Sequence, residues 1–213
     1  AYATAHAMNT IAASGWPLPY ALLPIYGGLF AVAVGLVVGP ISVRHGGLSF
    51  AMITLGLGLL VALAAPMLQG FFGGEGGVST DRTAGPVWLG LNLLSQRQVY
   101  GVSAVYVLLG AAVLRWFDGT RLDLLARAVR DNPLRVAVSG SSPRRVRLHV
   151  VLVSAFLAGL AGALQTLHLE QVSAGALGLP QSSMALLFSL AAGSGTAWGA
   201  LLGAGLMVGS EVV

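Results

Sequence analysis

Long apolar runs, each close to the length that crosses a lipid bilayer, dominate this sequence. A spanning helix needs about 20 mostly apolar residues, and its backbone must satisfy its own hydrogen bonds because lipid offers no partners. The chain is 56% hydrophobic and only 8% charged, whereas a soluble domain is roughly 25% charged. The sequence therefore predicts an all-α, polytopic transmembrane helical bundle. The complete runs are Ala21 to Val43, Leu48 to Phe72 with a kink at Pro66, Val99 to Phe117, and Leu148 to Leu167.

Most of the basic residues lie between two of these runs, in the segment from Arg115 to Arg147. Three aspartates accompany eight arginines there, so the segment carries a net charge of +5. Membrane insertion tends to retain arginine on the cytoplasmic side. We therefore predict that this segment is a cytoplasmic loop, and that the Gly-rich segment from Gly73 to Gln98 lies outside, with a short surface helix from Trp88 to Leu94. The eight arginines are Arg115, Arg121, Arg127, Arg130, Arg135, Arg144, Arg145 and Arg147.

The basic segment has an internal order that predicts short helices. Thr120 and Asp123 have the spacing of a capping box, and Asp123 and Arg127 are spaced i, i+4 on one helix face. The pair Asn132-Pro133 should end or kink that helix. Ser142 and Pro143 have the residue types of an N-cap and a first helical position, so a new helix should begin there and continue into the next apolar run.

The last part of the chain contains two short apolar pieces, Met184 to Ala192 and Ala200 to Val213, separated by the sequence GSGTAWG. Each piece is too short to span a bilayer alone. Such a pattern is typical of the discontinuous helices of transporters, whose irregular backbone lines a cavity or is buried in protein. We predict a discontinuous helix here. Its break, which includes Gly193, Ser194 and Gly195, either lines a solute path or is a tight turn between packed helices.

Small residues recur at a spacing of four, which favours close approach of helices. Both ends of the chain look truncated, because Ala1 to Ala13 resembles the tail of a helix and the last run stops without a polar flank. We therefore expect residues 1–213 to be one transmembrane domain within a longer protein. The recurring glycines are Gly35 and Gly39, Gly195, Gly199 and Gly203, and Gly205 and Gly209.

Catalytic and cofactor sites find no support in the sequence. There is no cysteine, no H-E-x-x-H, no G-x-S-x-G and no G-x-x-x-x-G-K-[ST]. We predict no catalytic residue, no metal site and no cofactor bound by this chain. Nucleic acid is an unsuitable partner because most of the basic residues lie in one loop between apolar runs, where a lipid membrane surface is the natural neighbour. The four histidines lie in different segments: His6, His45, His149 and His168.

Several stretches resemble the permease subunits of ABC importers for branched-chain amino acids, of the LivM type. The most specific is the loop ARAVRDNPLRVAVSGSSPRRVRL followed by the helix SAFLAGLAGAL. The resemblance covers nearly all of the chain and also includes the opening AYATA, the run GGLSFAMITLGLGLL, the outer GGEGG, and the closing GSGTAWGALLGAGL.

The resemblance implies a transport subunit of a bacterial or archaeal inner membrane, without enzymatic activity of its own. Its implied partners are a second permease subunit, separate ABC ATPase subunits that bind the ATP, an extracytoplasmic solute-binding protein and a small-molecule solute. A short cytoplasmic helix in such importers contacts the ATPase, and that role falls here on about Leu124 to Ser139. The implied coupling residues are Arg127, Arg130, Asp131, Asn132, Pro133, Leu134 and Arg135.

Alternatives remain open at three places. The arginine segment either serves only for retention and lipid headgroup contact or also contacts the ATPase, and Arg144, Arg145 and Arg147 fit the first role better. Gln165, His168 and Glu170, at the outer end of one helix, either contact solute or sit hydrated at the headgroup level. The whole protein could instead carry urea, a short amide or a simple sugar, or be a passive channel or a membrane-embedded enzyme.

Overall fold

The computed structural model describes residues 1–14, 19–82, 95–193 and 197–212, and these residues are almost entirely helical. The predicted all-α membrane fold is confirmed. Three of the described helices are long and apolar enough to cross a bilayer, spanning Tyr20–Ser42, Gln96–Asp118 and Pro143–Leu169. The helices are α1 (Tyr2–Ser14), α2 (Leu23–Ser42), α3 (Leu48–Ala64), α4 (Gln69–Phe72), α5 (Gln96–Asp118), α6 (Arg121–Asp131), α7 (Pro133–Val138), α8 (Pro143–Leu169), α9 (Leu179–Ala191) and α10 (Ala197–Val212).

The described residues also form three short 3-10 helices (Tyr20–Leu22, Gly74–Gly76 and Ala174–Leu177) and two short strands, β1 (Val78–Ser79) and β2 (Gln171–Val172). They pair antiparallel, with Val78 opposite Val172. The chain divides into two compact units. The first contains Ala1–Leu55 and Gly77–Val172, and the second contains Gly56–Gly76 and Ser173–Val213.

The first unit is built around the packing of α2 against α8, which depends on glycine. A Cβ placed on Gly159 would lie 2.6 Å from both the Ala31 Cβ and the Gly27 carbonyl oxygen. Further along the pair, a Cβ on Gly35 would meet Ala155, and one on Gly39 would meet Leu148. The predicted close approach at Gly35 and Gly39 is confirmed, since both face side chains of α8 at short distance. At Gly159 the two backbones themselves come so near that an added methyl group would clash.

Two clusters of buried side chains attach the other helices of this unit to α2 and α8. Tyr106 on α5 packs with Leu160 and Leu164, and its hydroxyl donates a hydrogen bond to the Ala21 carbonyl at 2.7 Å. The larger cluster joins α1, α2, α5 and the end of α8, so these elements meet at one end of the unit. It comprises Met8, Ile11, Tyr20, Leu23, Val99 and Leu167.

In the second unit, α9 and α10 fold back on each other. A Cβ on Gly203 would meet the Phe188 backbone, and one on Gly199 would meet the Gly193 carbonyl. These contacts pair residues of α9, or just after it, with residues of α10 as in a helical hairpin. Residues 194–196 of the break lie outside the described residues, so its role as a solute path or a tight turn stays a prediction. Gly205 and Gly209 have no neighbour within 4 Å, so the predicted close approach at that pair is not met within the described residues.

Two further sequence predictions need correction or lie outside the described residues. Pro66 ends α3 instead of kinking it, because the chain turns there and both Met67 and Leu68 donate their N–H groups to the Ala64 carbonyl. Proline has no backbone N–H, so Pro66 cannot donate the next hydrogen bond of the helix. The surface helix predicted from Trp88 to Leu94 falls outside the described residues, as does Gly195.

Candidate coupling site

The segment from Arg121 to Val138, named here the elbow, consists of α6, Asn132 and α7. Asn132 has an extended backbone (φ −153°, ψ 98°) and ends α6. Its side-chain oxygen accepts hydrogen bonds from the N–H groups of Leu134 at 3.1 Å and Arg135 at 3.2 Å. Pro133 occupies the first position of α7, where its missing N–H has no consequence. The predicted break at Asn132-Pro133 is confirmed, and Asn132 is the residue that shapes it.

The start of α6 differs from the predicted capping box. Thr120 precedes α6, but its hydroxyl donates to the Phe117 carbonyl at 2.7 Å and makes no cap to the helix. The Phe117 carbonyl, near the end of α5, also accepts the Thr120 backbone N–H at 2.9 Å, so the hydroxyl adds a second bond to it. Asp123 instead accepts the Nε–H of Arg127 on both oxygens at 3.1 Å. This hydrogen bond is the main cause that raises the pKa of the Arg127 guanidinium above its ordinary value.

Buried valines attach the elbow to the beginning of α8. Val129 of α6, Val136 of α7 and Val146 of α8 form one cluster, each at most 5% exposed. Leu125 and Ala126 pack around it. The elbow is therefore seated on α8, so a force applied to it reaches this long helix directly.

The opposite side of the elbow exposes apolar side chains among charged ones. Leu134 is 76% exposed and Val138 is 89% exposed. The only described ion pair of Arg130 is with Asp131 at 3.7 Å, and both side chains are largely exposed, so it contributes little to stability. The predicted coupling residues are all exposed and all lie on this elbow: Arg127, Arg130, Asp131, Asn132, Pro133, Leu134 and Arg135.

The residues considered for a solute path lie in two regions. His168 Nε2 and the Ser103 hydroxyl oxygen are joined by a hydrogen bond of 2.7 Å, and the centre of the His168 ring lies 5.1 Å from that of Tyr100. Gln165, one turn earlier on α8, is exposed. Gly193 follows α9 with a φ of +106°, a conformation that favours glycine. Ser194 and Gly195 lie outside the described residues.

Glu170 has a structural role at the end of α8, which involves a residue that the sequence did not single out. Its backbone is left-handed (φ 53°), and its carboxylate pairs with the Arg82 guanidinium. Arg82 also donates to the Leu167 carbonyl at 3.4 Å and to the Gln96 side chain at 3.2 Å. Together with the β1–β2 pair, these bonds tie the segment after Gly77 to α8. The sequence did offer one signal for Arg82. It lies in the segment predicted to be outside, where the positive-inside tendency makes arginine less common, so an arginine there suggests a specific partner.

The described residues contain no group of three or more His, Asp and Glu side chains that could hold a metal ion. Long apolar helices, close glycine-mediated packing and an exposed charged elbow define the chain as a multi-pass helical membrane protein. The family described as "Branched-chain amino acid transport system / permease component" matches residues 1–213, and the chain belongs to this family.

A curated relative is the "High-affinity branched-chain amino acid transport system permease protein LivM" of Escherichia coli (strain K12). It is 28% identical over an alignment of 210 positions, and the match covers 89% of this chain and 49% of the relative. The chain thus spans about half the length of the curated relative that it matches. No solved structure matches it.

Proposed function

We propose that this chain is part of the permease subunit of an ABC importer and helps to form the translocation path for branched-chain or other small amino acids. Family membership and the similarity to the relative named as a branched-chain amino acid permease support this. The protein would work in a bacterial or archaeal inner membrane, with a second permease subunit and an extracytoplasmic solute-binding protein. It would catalyse no reaction and bind no cofactor, because separate ATPase subunits would bind the ATP.

The part of the elbow from Arg127 to Val138 is the proposed contact with the ATPase, and its exposed apolar side chains carry this assignment. Leu134 and Val138 are exposed to a degree that water disfavours, and they stand beside arginines. Protein interfaces are enriched in arginine and in apolar side chains that become buried on binding. A surface that served only to hold the loop at the membrane by charge would have no use for Leu134 and Val138.

The seating of the elbow supports a mechanical role. Because Val136 and Val129 pack on Val146, movement of a bound ATPase would displace the start of α8. This helix packs along α2 through Gly159 and Gly35, and closely packed helices move as rigid elements. Closure of the ATPase would therefore shift the α2–α8 pair, which is the step that alternating access requires.

The test compares two matched double variants of the full-length permease. Leu134→Glu with Arg135→Glu changes the exposed side of α7, and Leu124→Glu with Arg121→Glu makes the same chemical change at the start of α6. Both leucines are more than 70% exposed. Co-elution with the ATPase subunits and stimulation of ATP hydrolysis by solute-loaded binding protein are measured for each.

We expect the α7 variant to lose at least about tenfold in ATPase binding, since a central interface residue contributes about 2 kcal/mol or more. The α6 variant should bind near the wild-type level. Wild-type stimulation in the α7 variant would contradict the coupling assignment. Stimulation by a urea-, amide- or sugar-loaded binding protein, but not by one loaded with leucine, would assign the same machinery to another small solute.

A further inference from the structure

A cavity of about 680 Å³ lies where the beginning of α3, the elbow and the beginning of α8 meet. Its inner wall is apolar and includes Phe50, Val150 and Val151, and Pro133 contributes from the elbow. The proposed function assigns nothing to this cavity. Its lining residues all belong to the first unit.

The rim of the cavity is cationic. Arg130 and Arg147 both line it, and none of the described lining residues carries a carboxylate. Arg147 is held in place because its guanidinium donates to the His45 carbonyl at 3.2 Å and lies against Gly46. One such bond leaves other N–H donors of the guanidinium for a ligand. Arg130 is 80% exposed, and its 3.7 Å contact with Asp131 is weak competition.

The cavity lies near the beginning of α8, a helix long and apolar enough to cross a bilayer, and the end of such a helix is where headgroups would border acyl chains. Arg147 lies in the second turn of a helix that is apolar enough to cross the bilayer, and Val150 and Val151 follow it. The two arginines and the apolar side chains next to them complement a phospholipid, because the arginines can bind its phosphate and the apolar side chains can contact its acyl chain. Basic pockets between membrane helices bind anionic lipid headgroups in this way.

We propose that this cavity binds one anionic phospholipid, with the phosphate between Arg130 and Arg147 and one acyl chain against Phe50, Val150 and Val151. A free phosphate would leave the apolar wall without a partner. A peptide segment that filled the cavity would need a carboxylate to match the two guanidinium groups, whereas an anionic lipid supplies both parts. The bound lipid would join the start of α3 to the elbow and α8.

The first experiment measures lipid retention by native mass spectrometry of the full-length permease with its ATPase subunits. Phosphatidylglycerol and phosphatidylcholine with the same acyl chains are supplied in equal amounts. The variant Arg130→Gln with Arg147→Gln removes the rim charges. The matched control Arg144→Gln with Arg145→Gln removes the same charge from exposed positions nearby that do not line the cavity.

The wild-type protein should retain phosphatidylglycerol in preference to phosphatidylcholine. Each rim arginine should contribute about fivefold, so the rim variant should lose roughly 25-fold in retention, whereas the control should stay near the wild-type level. Equal retention of the two lipids, or an equal loss in the control, would overturn the proposal. Binding of inorganic phosphate by a protein that retains neither lipid would also overturn it, in favour of a free anion.

A second readout uses the wild-type sequence, so it does not depend on whether a variant folds. Phosphatidylglycerol with a photoreactive acyl chain should cross-link to peptides containing Phe50 or Val150. Cross-links confined to other parts of the protein would refute the site. Arg130 and Pro133 line the cavity and are also predicted coupling residues, so the two proposals share these positions. The ATPase test changes Leu134 and Arg135, which do not line the cavity, and the cross-link is read without any substitution, so failure of one proposal can be told from failure of the other.

Discussion

A single amide side chain shapes the elbow. The Asn132 oxygen accepts two N–H groups of α7, and loss of such an N-cap costs about 1 kcal/mol. In Asn132→Ala, the amide protons of residues 134–138 should therefore exchange with solvent about fivefold faster, as measured by hydrogen–deuterium exchange.

Asn132→Asp is the matched control for this prediction, because a carboxylate oxygen can accept the same two bonds. It should exchange at the wild-type rate. Unchanged exchange in Asn132→Ala would show that the buried contact of Val136 alone holds α7.

At the scale of helices, much of the fold follows from the sequence because apolar run length and helix signals are local properties. The run from Leu148 to Leu167 predicted α8, and Ser142-Pro143 predicted its start. Partners far apart in the chain have no such signal. Gly35 and Gly39 have the same spacing as Gly205 and Gly209, yet among the described residues only the first pair meets a neighbouring helix.

The coupling residues stay a proposal that the family resemblance implies, and only the break at Asn132-Pro133 on which they lie could be predicted from local sequence. The ion pair between Arg82 and Glu170 could not be predicted, because it joins residues that are far apart in the sequence. These residues lie on different elements, and nothing near either one indicates its partner. The cavity below Arg130 and Arg147 was also missed, because it exists only once α3, the elbow and α8 are assembled.

The α2–α8 pair gives a prediction about stability. In Gly159→Ala the added methyl group would lie 2.6 Å from the Gly27 carbonyl oxygen and 2.8 Å from the Gly28 Cα. Backbone cannot move aside as a flexible side chain does, so α2 must shift, and overpacking of this kind costs about 1–3 kcal/mol. The midpoint of thermal unfolding in detergent should fall.

Gly101→Ala on α5 is the control, because a Cβ there meets nothing within 4 Å. Replacing a helical glycine by alanine in open space is favourable by up to about 1 kcal/mol, so this variant should unfold at the wild-type temperature or above. Equal midpoints for the two variants would mean that the α2–α8 contact does not limit stability.

For the whole molecule, the contacts at the two ends of α8 define two sides. Near its start, Arg147 binds the turn between α2 and α3. Just past its end, β2 pairs with β1. Because α8 is long enough to cross a bilayer, these two regions should face opposite compartments. The positive-inside tendency places the arginine-rich one in the cytosol.

The chain has no cysteine, so one introduced residue reports its own position in a full-length protein that is otherwise free of cysteine. A membrane-impermeant maleimide should label Ser79→Cys in intact cells, and should label Arg121→Cys only after the membrane is opened, since both positions are exposed. The reverse pattern would invert the orientation and remove the elbow from the reach of a cytosolic ATPase. Labelling of both positions in intact cells would contradict the separation of the two ends of α8 by a bilayer, on which the transport proposal depends.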